Sequence, residues 1–280
     1  MLDEKHRREL LDQLVHSPSY RVAYHDDEMM DSAELRHVRM ELEFLKADLV
    51  LHEHNVESTI VVFGSTQVCE PAVAQKRLDQ ARSRLAETPD DPRRRREFAQ
   101  AERLAAKSPY YDVAREFARL VSSQRQCEGR CDYVITTGGG PGIMEAANRG
   151  AHDVGAKSVG LNIRLPKEQE PNPYITPELC FQFHYFAIRK LHFLLRAKAL
   201  VIFPGGFGTI DEMFDALTLR QTGRMQNIPI ILFGRKYWER AVGFQFLADE
   251  GTVEDRDLDL IRFADTPEEA WEMIQDFHRR

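Results

Sequence analysis

The chain has 280 residues, 42% of them hydrophobic, and a formal net charge of −7, which is enough apolar material for one large α/β domain with appendages. The negative balance excludes sequence-independent binding to nucleic acid or to an anionic membrane surface, because both need clustered positive charge; a small anion in a local pocket stays open. The charged opening MLDEKHRRELLDQL has no signal-like apolar core, and no apolar run reaches the ~18 residues of a membrane span, so the expected location is the cytoplasm.

Residues 1–58 read as a helical extension with little chemistry in it. Asp31 and Glu34 have capping-box spacing, and Leu35, Val38, Leu42, Leu45 and Leu49 then recur every three or four residues. The seam can pack on the main domain or zip against a second subunit; two heptads are too few for a coiled coil, so packing is the preferred expectation. From residue 59 to 280 the chain reads as one Rossmann-like domain. Six β-branched runs are the candidate strands: TIVVFG (59–64), YVITTGG (133–139), SVGLNI (158–163), ALVIFPGG (199–206), IPIILFG (228–234) and LIRFAD (260–265). Their alternation with helical patterns predicts a doubly wound parallel sheet with helices on both faces, and ligands at the carboxyl ends of its strands.

Residues 71–107 interrupt that alternation with two charged helices around TPDDP, apolar at Leu78, Ala81 and Leu85 and at Phe98, Ala101 and Ala105. This predicts an inserted helical hairpin. The run Arg93–Arg96 points around its helix among acids and reads as a solvated face. The cysteines at 69, 127, 131 and 180 form no CxxC pair, so reduced thiols are expected. Cys127 and Cys131, read as one helical turn apart, have no partners for a metal, and none is expected.

Two glycine loops each join a strand to a helix: TTGGGPGIME (136–145) and FPGGFGTIDE (203–212). Loops without Cβ atoms let backbone amides approach an anion, and the following helix offers free N–H groups at its positive end. Pro141 suits the first turn of one helix and Thr209 the N-cap of the other. Neither loop has the lysine of a Walker A motif, and the GxGxxG spacing fails at Glu145 and Asp211. With FGST (63–66) after the first strand, one crevice fits a mononucleotide. Thr209 and Glu212 also form a T-x-x-E capping box, so on the residues alone Glu212 is either a cap or a ligand-facing acid. Arg189 is by default a surface ion pair, and Glu145 either complements a helix dipole or faces ligand. His184 and His192 read as packing or rim residues.

The stretch 183–223, FHYFAIRKLHFLLRAKALVIFPGGFGTIDEMFDALTLRQTG, resembles the signature region of the LONELY GUY family of phosphoribohydrolases: an RK pair, Arg189 and Lys190, followed by PGGxGTxxE from Pro204 to Glu212. TGGGPGIMEAANRGA (137–151) is similar to the family's other glycine motif, and GLNIRLPKEQEPNPYI (160–175) to a segment of its longer bacterial branch. The resemblance implies hydrolysis of the N-glycosidic bond of a purine nucleoside 5'-monophosphate, AMP or an N6-modified AMP, to free base and ribose 5-phosphate, with no cofactor and in a homodimer. It makes Arg189 and Glu212 the catalytic pair and gives the 5'-phosphate to Gly205, Gly206, Gly208 and Thr209. Ser65 and the loop of Gly138, Gly139, Gly140 and Gly142 complete the cleft, with Lys190 in support and Glu145 as a further candidate.

That chemistry suits the residue types. Breaking the bond builds positive charge on the sugar, which a carboxylate stabilises, and a guanidinium supplies a fixed fork of donors. Lys190 stands ~100° around the helix from Arg189, so the two are not expected in one cleft, and Asp211 is expected to point away. No lysine constellation for a pyridoxal decarboxylase is legible. The alternatives are a carrier of the same fold that holds a nucleotide or phosphorylated cofactor without cutting it, and a scaffold that recruits a partner through its helices.

Overall fold

Five consecutive buried residues, Thr59–Phe63, have the signature of a strand covered on both faces. The computed structural model, which describes residues 3–127, 129–166 and 170–279, places this strand at the centre of a sheet. The chain divides into two compact units, one ending at Lys46 and one starting at Ala47. The first holds helices α1 (Glu4–Val15) and α2 (Asp27–Asp31), and the division falls within α3 (Arg36–Glu53).

In the second unit the order is β1 (Thr59–Phe63), α4 (Pro71–Glu87), α5 (Pro92–Ala105), α6 (Pro109–Arg125), a two-stranded hairpin of β2 (Gln126–Cys127) and β3 (Arg130–Cys131), β4 (Val134–Thr137), α7 (Ile143–His152), β5 (Ser158–Ile163), β6 (Cys180–Phe183) and α8 (Phe186–Leu195). There follow β7 (Ala197–Ile202), α9 (Phe207–Gln221), β8 (Ile230–Phe233), α10 (Arg235–Ala241), α11 (Phe244–Asp249), β9 (Ile261–Ala264) and α12 (Pro267–Arg279). Among the described residues seven strands form one sheet in the order β6-β5-β4-β1-β7-β8-β9, every pairing parallel. The crossover from β1 runs toward β4 and the crossover from β7 toward β8, so the winding reverses between β1 and β7. Right-handed crossovers in opposite directions put helices on opposite faces. On one face, alternate residues Ile60, Val62, Val201, Phe203, Ile231 and Phe233 pack with Phe117 and Val121 of α6, Ile143 and Ala147 of α7 and Ile274 of α12. On the other, Phe63 meets Phe193 of α8 edge-on, ring centroids 4.9 Å apart.

The Rossmann-like expectation is met, and the hairpin of residues 71–107 is present as α4 and α5. Arg94 and Arg95 pair with Glu97 and Asp90 at 2.7 and 2.8 Å, as a solvated face should. Several expectations need correction. β6 went unread because CFQF is four residues long, exposes Gln182 and follows a connection whose described residues hold no α-helix. Cys127 and Cys131 lie on opposite strands of the β2–β3 hairpin, not one helical turn apart. Asp31 ends α2 and caps nothing in α3, which begins five residues later, at Arg36. Within the second unit the seam residue Leu49 is exposed, and α3 there buries Ala47 and Leu51 instead.

Where α6 and α7 cross, Gly150 lets the backbones touch, for a Cβ there would stand 2.0 Å from the Arg115 carbonyl oxygen and 2.9 Å from the Ala118 methyl. Gly150→Ala is therefore expected to lower the unfolding free energy by about 2 to 3 kcal/mol, read as a drop in the urea midpoint at unchanged slope. An unchanged midpoint refutes the close crossing.

Candidate functional site

The exits of β1, β4, β5 and β7 and the start of α8 surround a cleft of about 420 Å³, within the range of small-ligand sites. It lies at the winding reversal. Its walls are Phe63 to Gln67 after β1, Gly138, Gly140 and Met144 after β4, Asn162, Ile163 and Leu165 at the end of β5, Phe186 and Arg189 on α8, and Gly206, Gly208, Thr209, Asp211 and Glu212 after β7.

Ser65 ties the two glycine loops together through its backbone. Its N–H donates to the Pro204 carbonyl at 3.1 Å, and its carbonyl accepts from the Ile143 N–H at 3.1 Å. Its hydroxyl accepts from the Gln67 N–H at 3.0 Å. The β4 loop turns through Gly139 and Gly142, both with φ +74°, and a Cβ at Gly142 would stand 2.4 Å from the Ser65 carbonyl oxygen, so neither position takes another residue without strain. Asn148, fully buried in α7, holds this loop from behind: it accepts from the Thr137 hydroxyl at 2.7 Å and from the Asn172 amide at 3.0 Å, and donates to the Ser158 hydroxyl at 3.0 Å. Asn172 in turn donates to the Gly139 carbonyl from its backbone at 2.8 Å and to the Gly140 carbonyl from its side chain at 3.1 Å.

After β7 the N-cap of α9 is Gly206, with no side-chain cap, so the first amides of a 15-residue helix stay available to an anion. Thr209 is already helical and Glu212 lies in the second turn, which removes the T-x-x-E capping box. Pro141 likewise precedes the Gly142 cap of α7 rather than starting the helix. Glu212 is 8% exposed yet lines the cleft. Burial raises its carboxyl above the ordinary value, against the pull of Lys190 and Arg189. Arg189 crosses the cleft wall with its guanidinium 5.1 Å from the Phe193 ring centroid. Its Nε is buried without a hydrogen-bond partner, and a Cβ at Gly138 would lie 3.5 Å from one of its terminal nitrogens. Burial depresses its pKa, and the Glu212 and Asp211 charges oppose that.

The remaining sequence-predicted residues sort themselves by geometry. Lys190 does not line the cleft; it sits behind, 2.9 Å from Asp211, 3.7 Å from Glu212 and 3.3 Å from Asp215. Asp211, expected to point away, lines the rim. Glu145 is turned from the cleft and accepts from the Tyr111 hydroxyl at 2.8 Å. Gly139, Gly142 and Gly205 shape the loops without lining the cleft. His192 is buried against Phe183, ring centroids 5.5 Å apart. Of the segment 160–175, residues 167–169 lie outside the described residues. Among the described residues no group of three His, Cys, Asp or Glu side chains could hold a metal ion, and no helix is long and apolar enough to cross a membrane. Sequence reasoning missed Met144, Asn162, Phe186 and Asn148; the last had a signal, an asparagine on the apolar face of AANRGA.

A cleft at the switch point of a doubly wound sheet, with an uncapped helix start, one buried acid and one half-buried guanidinium, is what this geometry defines. Residues 144–274 match the family model described as "Possible lysine decarboxylase". The chain is 25% identical over 175 residues to cytokinin riboside 5'-monophosphate phosphoribohydrolase LOG3 of Arabidopsis thaliana, covering 61% of this chain and 77% of that protein. It is 25% identical over 148 residues to LOG4 of the same plant, covering 51% and 67%. Among solved structures, the molybdenum cofactor binding protein from Rippkaea orientalis aligns with TM-score 0.43 and 20% identity over 60% of this chain and 87% of that one. The resemblance to the LONELY GUY family read from the motifs is thus shown by sequence similarity.

A buried carboxyl whose pKa is raised favours the fold at acid pH and loses that contribution as the pH climbs through the raised value. Glu212→Gln is therefore expected to melt higher than the native chain near about pH 8, the gain fading toward about pH 4, where both carry a neutral side chain. A lower melting temperature at the alkaline end contradicts the burial cost.

Proposed function

We propose that the protein hydrolyses the N-glycosidic bond of a purine nucleoside 5'-monophosphate, AMP or an N6-modified AMP, in the cytoplasm. The observation that carries this reading is the placing of a nearly buried carboxylate, Glu212, in the same cleft as Arg189 and the uncapped start of α9. Glu212 lies one turn along α9 from Thr209, about 4.5 Å by helical rise, so a phosphate at the open amides sets its ribose beside the acid. As the C1'–N9 bond breaks, its electron pair leaves with the base and positive charge grows on the sugar. The ionised Glu212 stabilises that charge and orients the water whose oxygen forms the new bond to C1'. The proton lost by water balances the one gained by the departing base. Arg189 offers its donors to the substrate, and Lys190, 3.7 Å from Glu212, opposes the rise that burial imposes on that carboxyl. Met144, Ile163, Leu165 and Phe186 provide an apolar surface for the base. The relatives' names, cytokinin riboside 5'-monophosphate phosphoribohydrolases, support the same chemistry.

The native chain incubated with AMP or N6-prenylated AMP is expected to release free base, followed by chromatography, and Glu212→Gln to turn over roughly 10² to 10⁴ times more slowly. Release of no base from any nucleoside monophosphate, with an uncleaved nucleotide or pterin copurifying, replaces this reading with the carrier one. The working form is proposed to be a homodimer. Leu191 and Leu195, one turn apart on α8, are 49% and 46% exposed, and Leu49 on α3 is 57% exposed, an apolar surface of the kind that pairs subunits. Light scattering should give about twice the 32.4 kDa chain mass, and Leu191→Glu with Leu195→Glu should give the single mass; a native monomer rejects the dimer.

A further inference from the structure

Behind the second glycine loop stands a tyrosine that no motif singles out. Tyr237 is the third residue of α10, and its hydroxyl donates to the Gly205 carbonyl at 2.6 Å. Its helix is anchored: the neighbouring Trp238 is fully buried and donates through its indole N–H to the Phe233 carbonyl at 3.0 Å. The ring of Tyr237 packs edge-on against Trp238, centroids 5.2 Å apart. The hydroxyl is therefore a fixed donor, held by the core and not by the loop.

The consequence follows from peptide geometry. A trans peptide is planar, so the carbonyl of one residue and the N–H of the next point in opposite directions. Gly205 does not line the cleft, whereas Gly206 and Gly208 do. Drawing the Gly205 carbonyl back toward Tyr237 turns the Gly206 N–H forward, alongside the open amides of the first turn of α9. The loop is glycine-rich and has little intrinsic preference among backbone conformations. Gly205 itself is packed against its own helix, for a Cβ there would stand 2.1 Å from the Thr209 hydroxyl oxygen, while Gly206 has nothing within 4 Å of its Cβ position. Gly206, which lines the cleft in open space, is joined to Gly205 by the peptide whose carbonyl Tyr237 holds.

We infer that Tyr237 is a positioning residue for the substrate's 5'-phosphate, fixing the Gly205–Gly206 peptide so that its N–H faces the anion. The inference rests on the proposed site for a nucleoside monophosphate, but not on turnover. The test is calorimetry on the full chain carrying Glu212→Gln, so that no nucleotide is consumed, with AMP and adenosine as the two probes. Adding Tyr237→Phe, which keeps the ring and removes only the donor, should weaken AMP about five-fold, the weight of one hydrogen bond, and leave adenosine unchanged. In the active chain the same substitution should raise KM for AMP with kcat little altered. An unchanged AMP affinity overturns the inference, and so does an equal loss for AMP and adenosine, which marks a general structural effect. Failure of the parent chain to bind AMP overturns both the inference and the site, whereas AMP binding without any base release removes only the enzymatic reading.

Discussion

The backbone of one residue, Ser65, at the exit of the central strand holds the site together. The β4 and β7 loops stand on either side of β1. Ser65 gives its N–H to one and its carbonyl to the other, so their separation is set by the spacing of neighbouring parallel strands. Gly64 permits this contact, because a Cβ there would stand 2.6 Å from the Ile143 side chain that opens α7. Displacing this backbone moves both walls of the cleft together, since each loop takes its position from it.

The β4 loop has a second support that lies wholly within the fold. Asn148 sits on the apolar side of α7, where an unpaired amide would cost more than most single contacts contribute. It is satisfied by Thr137, Ser158 and Asn172 together, so these polar groups specify one arrangement of β4, α7, β5 and the PNPY segment. The β7 loop is held differently, by Pro204 on Ser65 and by Gly205 on Tyr237. One loop is fixed by buried side chains behind it, the other through its own backbone carbonyls.

The strands were legible because continuous apolar runs of four to six residues have few other uses, and six of the seven strands in the main sheet were read from them. β6 was not, since CFQF alternates and follows a connection whose described residues hold no α-helix. Helix starts were misread at Asp31 and Thr209, good caps by type, and at Pro141, a good first-turn residue by type. At the two glycine loops the helix begins instead at Gly142 and Gly206, and the second is left without a side-chain cap at the cleft. Periodicity found the leucine stripe of α3 but not its environment: the helix carries a second apolar side, Ala47 and Leu51, and only packing decides which of them is covered. Within the site the motifs led to Arg189 and Glu212, and helix geometry kept Lys190 out of their cleft, but the turning of Glu145 toward Tyr111 was not legible, because direction around a helix depends on where the helix is capped and how it is rolled against the sheet.

Arg189 and Glu212 hang from α8 and α9, and the only ordered element between those helices is β7. Their relative placement is thus written in a short uninterrupted piece of chain, with one strand as the spacer. The long insertion that forms α4 and α5 enters on a different crossover, after β1. The architecture separates what must keep its length from what is free to vary: additions can accumulate on the β1 crossover or ahead of it, while a single residue gained or lost between Arg189 and Glu212 would change the register of the strand that joins them.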